Sequence, residues 1–183
     1  MRLDKVIVID VEATCWDPRP TTRSKEFENE IIEIGICVLD MKTTRGLNTP
    51  SAESVIVRPA HSKVSEFCTR LTTLTQEQVD KGITLKAACD LLIDRYDSKN
   101  HVWVSYGDYD RNQFQKECRD KRIDYPFGPR HINVKCLFAL KNRLREEIGM
   151  DRALEKLGMD LQGTHHRAHD DAANIARIAA TLF

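Results

Sequence analysis

The sequence predicts one α/β domain built around a mixed β-sheet. Three observations point there: a β-branched run near the start, strand-like segments crowded into the first third, and helical periodicities alternating with strand thereafter. With 183 residues, 41% of them apolar, the chain can bury one sizeable core, and no repeat, low-complexity tract or linker divides residues 1–183.

Val6–Ile9 is continuously apolar and β-branched, and alternation follows through Asp10-Val11-Glu12, as in a central strand buried on both faces. Trp16–Asn29, with Arg19, Arg23 and Lys25 but also Glu26 and Glu28, reads as a surface loop beside the end of that strand. Ile31–Leu39 and Ser54–Val57 extend the strand pattern, joined by a polar connection that carries Gly46 and Pro50. Thr75 with Gln78 three residues on has the form of a capping box, Thr84 opens a helical stretch carrying Leu85, Ala88, Leu91 and Leu92, and His101–Tyr106 is a short fourth strand. Helices are expected over Asp108–Arg122, Val134–Glu147, Asp151–Leu157 and Ala168–Leu182.

Composition narrows the function. Lys plus Arg and Asp plus Glu each total 28, so a polyanion cannot be held by bulk charge and must be caught at a local site. No early apolar run approaches the ~20 residues of a membrane helix, and Met1–Lys5 has no signal-peptide core, which argues against secretion and membrane insertion. The six cysteines form no Cys-x-x-Cys pair, so reduced thiols in a cytoplasmic protein are expected, with Cys37, Cys89 and Cys118 as small core residues.

Acids carry the chemistry. Asp10 and Glu12 project to one side of their strand, about 7 Å apart, with no Lys or Arg in the strand to neutralise them. Two acids at a strand end also serve simply to leave a sheet; desolvated together, they are best explained by a divalent cation. Of the two acids in Gly107-Asp108-Tyr109-Asp110, helical spacing puts Asp110 on the face of Phe114, pointing inward, and leaves Asp108 as an N-terminal cap accepting a first-turn N–H. In the last helix, positions 171, 175, 178 and 182 make the buried stripe and 170, 174, 177 and 181 a polar one, so Asp171 points inward and Asp170 outward, complementing the helix N-terminus. Asp10, Glu12, Asp110 and Asp171 together suit two Mg²⁺ or Mn²⁺ ions, and His166, just ahead of the helix, is placed to take a proton near neutral pH. A zinc site of His165, His166 and His169 is the weaker reading, because zinc usually draws its ligands from separated elements.

Asp10-x-Glu12, Asp110 and His166-x-x-x-x-Asp171 resemble the three motifs of the DEDDh 3′–5′ exonuclease superfamily. Val11-Glu12-Ala13-Thr14-Cys15, Asn29-Glu30-Ile31-Ile32-Glu33, Glu66-Phe67-Cys68, Leu74–Asp80, Leu154–Met159 and Asp170-Asp171 with Asn174–Ile178 are similar to its ERI-1-type branch, which trims the 3′ ends of structured and small RNAs. The resemblance implies a ribonuclease-H-like fold with a five-stranded mixed β-sheet flanked by helices, two divalent ions, and release of nucleoside 5′-monophosphates from single-stranded RNA or DNA 3′ ends. No dedicated extra nucleic-acid-binding module is expected, since the first strand starts within a few residues of Met1, so recognition of one particular stem-loop is not carried over. Thr14, Phe67 and Tyr109 are the expected substrate-binding residues, with local help from Arg19, Arg23, Lys25 or Arg167. Two other classes stay open: a DNA-directed proofreading or repair exonuclease, and a non-catalytic nucleic-acid-binding protein.

Overall fold

A computed structural model describes residues 2–17, 28–42 and 51–183. Gly46, Pro50, Arg19, Arg23 and Lys25 lie outside those residues. The strands β1 (Arg2–Ala13), β2 (Ile31–Asp40), β3 (Glu53–Ile56), β4 (His101–Ser105) and β5 (His131–Asn133) form one sheet in the order β3-β2-β1-β4-β5. β1 runs antiparallel to β2 and parallel to β4, and β5 continues parallel, so the sheet is mixed and β1 is its centre. The helices are α1 (Glu66–Thr72), α2 (Gln76–Asp80), α3 (Leu85–Tyr96), α4 (Tyr109–Lys121), α5 (Val134–Lys141), α6 (Met150–Lys156) and α7 (Ala168–Ala180). Among the described residues no helix is long and apolar enough to cross a membrane.

Strand alternation sorts β1 between two cores. Ile7, Ile9 and Val11 pack with Leu85, Leu92 and Phe114 of α3 and α4, while Val6 and Val8 pack with Phe138, Leu154 and Ile175 of α5, α6 and α7. Asp10 and Glu12 continue the second of these faces, so the apolar half of the strand turns acidic where it meets the start of α7. All six cysteines are free thiols; Cys37, Cys89 and Cys118 are buried, with the Sγ atoms of Cys89 and Cys118 3.9 Å apart between α3 and α4.

Thr75 and Gln78 make the expected capping box. The helix expected over Val134–Glu147 stops at Lys141 instead. Asn142 turns its side-chain amide back to Phe138 O (2.9 Å), Arg143 takes a left-handed φ of 54°, and Leu144 N returns to Ala139 O (2.9 Å), so the carbonyls that would continue the helix are satisfied by a C-terminal turn. β5 is too short for periodicity to reveal.

The start of β2 is fastened by buried charge. Glu30 accepts hydrogen bonds from Ala60 N and His61 N (2.9 Å each) and from Lys121 Nζ (2.6 Å), and Lys121 also donates to Glu117 (2.7 Å), which in turn accepts from Ile31 N (2.8 Å). Burial works against the charge on Glu30, but Lys121 and the backbone donors outweigh it and bring its carboxyl down to about 2. The stability this group contributes is therefore present above its ordinary value of 4.5 and lost as pH falls toward about 2. Glu30→Gln should flatten the pH dependence of unfolding in that window, measured by urea titrations at stepped pH; an unchanged slope would show that the acid sensitivity arises elsewhere.

Candidate active site

The acids converge because α7 approaches the sheet closely. Asp10 on β1 pairs with Gly35 on β2, and a Cβ placed on Gly35 would lie 1.8 Å from Ala168 O and 2.1 Å from its carbonyl carbon. Only glycine lets the first turn of α7 lie on β2 here, which lowers Asp171 toward β1. Carboxylate oxygens of Asp10, Glu12 and Asp171 then lie within 4.8 Å of one another. Asp110, 4% exposed in the first turn of α4, joins from the other side of β1, its Oδ1 accepting from Val11 N at 2.9 Å.

Crowding raises the affinity of these carboxyls for protons. Burial first, then the charges of Asp110, Asp171 and Glu12, push Asp10 well above the usual carboxylate range. Burial and the neighbouring acids push Glu12 up to about 9, and burial brings Asp110 up to about 6 against its bond from Val11 N. Among the described residues no Lys or Arg side chain bonds any of the four, so the set is a cage of hard oxygen donors that favours protons or other cations, and it fits divalent cations of the Mg²⁺ class.

His166 stands two residues ahead of α7 in a left-handed conformation, φ 67°. Its N–H donates to Asp171 Oδ2 (3.0 Å), its Nδ1 lies 3.8 Å from Glu12 Oε1, and burial and the adjacent His165 lower its pKa against the charge of Asp171, which favours the neutral imidazole. The histidines do not form one cluster. His165 stacks on His166 with ring centroids 4.0 Å apart and meets both Asp171 oxygens through Nδ1 at 3.1 Å, whereas His169 turns away to Glu33 at 3.1 Å.

Several sequence expectations are corrected. Asp108 makes no side-chain cap: its backbone is already helical (φ −110°, ψ −3°), which points the carboxylate away from the first-turn N–H groups, and it bonds Asn133 Nδ2 (3.1 Å) and Arg111 (3.2 Å) instead. Asp170 stands in the first turn of α7 as expected and also accepts from Thr164 N at 2.8 Å, whereas Asn174 of the expected polar stripe is fully buried, because residues 160–164 fold across that face. Arg167 is not free for substrate; it forms a fork with Glu33, Nε and Nη2 each at 3.0 Å.

Glu33 was missed. It is wholly buried opposite Glu12 on β2 and also accepts from Ala168 N (3.0 Å) and Ser54 Oγ (2.6 Å). Burial opposes its charge, yet Arg167 and these donors hold its carboxyl below the usual value. A strand carboxylate thus anchors the start of α7, and its sequence signal was a single acid inside the apolar run Ile31–Leu39. Gly35 in the same run marked the close approach. Gly35→Ala should cost about 3 kcal/mol or more, because the obstructing atoms are backbone, lowering Tm by about 6–12 °C and taking activity with it; a melt within a degree of wild type would show that α7 can retreat freely.

A cleft of about 370 Å³ opens over the acids, lined on its apolar sides by Leu71, Tyr106, Tyr109, Met150 and Ile175. Of the three expected substrate residues only Tyr109 lines it, half-exposed. Thr14 is buried with its hydroxyl engaged by Glu30 N (2.9 Å) and Glu28 O (3.4 Å), so it ties β1 to the segment before β2. Phe67 is not among the lining residues; Leu71, one turn further along α1, takes that place.

The exonuclease family model RNase_T matches residues 7–179. The 3′-5′ exoribonuclease 1 of Rattus norvegicus is 33% identical over 189 residues, covering 98% of this chain and 53% of that protein, so the chain spans about half the length of this relative. Among solved structures, the nuclease domain of 3′hExo, a DEDDh family member, bound to rAMP superposes with a TM-score of 0.84 at 32% identity, covering 97% of this chain and 90% of that one. A structure of 3′-end specific recognition of histone mRNA stem-loop by 3′-exonuclease has a TM-score of 0.82 at 32% identity, covering 97% and 63%. The five-stranded mixed sheet is accordingly the ribonuclease-H-like one of these nucleases.

Proposed function

Because the chain belongs to the DEDDh exonuclease family, we propose that it is a metal-dependent 3′–5′ exonuclease that shortens RNA from its 3′ end. The observation that carries this reading is the convergence of Asp10, Glu12 and Asp171 within 4.8 Å, with Asp110 beside them and His166 facing Glu12 across the same cleft. Residues 1–183 are taken as one exonuclease domain, which the single sheet and the match over residues 7–179 support. Free thiols at all six cysteines fit a reducing, cytoplasmic setting.

Asp10, Glu12, Asp110 and Asp171 would hold two Mg²⁺ or Mn²⁺ ions. When bound, such ions neutralise charge on a phosphodiester and acidify a water. The neutral His166 imidazole receives a proton of the attacking water as its oxygen bonds to phosphorus; the P–O3′ bond breaks, and the leaving O3′ takes a proton from solvent to give a 3′-hydroxyl on the shortened chain and a free nucleoside 5′-monophosphate. His166 keeps its place through its own N–H on Asp171, so base and acid cage share one anchor. Tyr109 offers a half-exposed ring at the rim on which any terminal base can stack, for about 1–3 kcal/mol and with little sequence preference. Tyr109→Ala should therefore weaken single-strand binding at nearly unchanged Tm; a large drop in Tm with KM unaltered would mark it as packing. Recognition of a stem-loop is left to the neighbour in which it was seen, since this chain covers 63% of that protein.

The test is digestion of 5′-labelled RNA and DNA oligonucleotides of one sequence, in Mg²⁺ and in chelator. The expected result is stepwise shortening from the 3′ end with release of 5′-monophosphates, silence in chelator, and a block by a 3′-phosphate. Full activity in chelator would overturn the reading, and faster digestion of DNA would move the substrate to DNA.

A further inference from the structure

The face of α7 turned away from the acid cage is occupied by the segment that carries His166. Asp160 O accepts from Arg177 Nη1 (2.7 Å), Gln162 N donates to Asn174 Oδ1 (3.1 Å), Gln162 O accepts from Asn174 Nδ2 (2.8 Å), and Thr164 N donates to Asp170 Oδ2 (2.8 Å). Residues 170, 174 and 177 of the helix thus grip the backbone at 164, 162 and 160, a ladder in which each step up the helix meets an earlier residue of the segment. Asn174 is its centre. It is fully buried, and its amide is saturated: Oδ1 also accepts from Arg177 Nη1 (2.9 Å) and Nδ2 also donates to Asp170 O (2.9 Å).

His166 needs such support. A left-handed φ is unfavourable for a non-glycine residue, and the conformation persists only when its surroundings fix it. From the helix side His166 is fixed by its N–H on Asp171; from the chain side it is fixed by the pinned segment ending at Thr164, whose O accepts from Arg167 N (3.1 Å). Asn174 touches neither a carboxylate of the acid cage nor the cleft, so any effect it has on turnover must pass through the segment. We propose that Asn174 is a positioning residue for the reaction, acting through the placement of His166. This rests on His166 as the base. Only an amide supplies a donor and an acceptor to Gln162 O and N together; a carboxylate would set an oxygen against Gln162 O, and an alkyl group would leave both backbone groups unpaired.

The test is a double-mutant cycle on the RNA substrate in Mg²⁺. Asn174→Ala alone should lower kcat by about 10- to 100-fold, the scale of a base displaced by about an ångström, with KM and the Mg²⁺ concentration for half activity unchanged. Introduced into His166→Ala, the same change should alter kcat by no more than about twofold, since a group that acts through a missing side chain has nothing left to lose. If Asn174→Ala slows both backgrounds by the same factor, its role is general to the fold and the proposal fails. If Asn174→Ala does not stay folded at the assay temperature, Asp170→Ala carries the same cycle, with Asp170→Asn restoring the rate because an amide oxygen still accepts from Thr164 N; an Asp170→Ala loss that multiplies with His166→Ala, or that Asn does not restore, overturns it equally. Wild-type turnover by His166→Ala alone would remove the base assignment first and the positioning role with it.

Discussion

Asp10→Ala is expected to lower turnover by about 10³-fold or more while leaving the metal-free protein as stable as wild type or more so. The loss follows from the several kcal/mol of charge stabilisation that divalent ions would supply when held by Asp10 and its neighbouring carboxylates. The gain follows from crowding. Asp10 sits among Asp110, Asp171 and Glu12, and a buried carboxyl whose folded pKa lies above its unfolded value destabilises the folded state at neutral pH. Removing it relieves that repulsion, an outcome opposite to the usual cost of cutting a buried side chain. Thermal melts in chelator and single-turnover rates in Mg²⁺ read the two halves separately. A folded Asp10→Ala enzyme with normal turnover would remove the metal cage from the mechanism, and a melt many degrees below wild type would mean that Asp10 holds the fold by some contact other than repulsive ones. Asp110→Ala and Asp171→Ala should share the rate loss, though Asp110→Ala also frees Val11 N and should gain less stability.

His166→Ala is expected to cost about 10²–10⁴-fold in kcat, the usual scale of general acid–base catalysis, and to remove the acidic limb of the pH–rate profile. Burial and His165 lower the pKa of His166, so that limb should lie below the ordinary imidazole value of 6.5 in the free enzyme. His165→Ala and His169→Ala should lose far less, by different routes: His165 leaves Asp171 with its bond from His166 N, and His169 leaves Glu33 with Arg167, Ala168 and Ser54. A His165→Ala loss equal to that of His166→Ala, with the acidic limb intact in His166→Ala, would transfer the role of base to His165.

The sequence reveals what repeats. Alternation in Val6–Glu12 already places Val6, Val8, Asp10 and Glu12 on one face, and helical spacing places Asp110 and Asp171 inward, because both depend only on backbone geometry. It conceals what depends on a partner far along the chain. The hydroxyl of Thr14 is claimed by Glu30, Arg167 by Glu33, and the outward face of α7 by residues 160–164; each of these pairings is long-range or loop-mediated and leaves no period to read. Asp108 misled for a local reason, since a cap residue is recognised by type while its capping bond depends on φ and ψ.

The closure of the cleft by α7 has a meaning in time. Asp171 follows Asp10 by 161 positions (171 − 10), and the two meet only through the seat that Gly35 leaves for the start of α7. Such distant contacts are bought late in folding, after the loops between them have closed. A nascent chain in which β1 and β2 have already paired therefore carries Asp10 and Glu12 without Asp171 or His166. It has no cage and no base, and on the proposed mechanism it should cut nothing. Recovery of activity during refolding should in turn lag the recovery of strand signal and coincide with the docking of α7, so that the capacity to cut appears only when the molecule is finished.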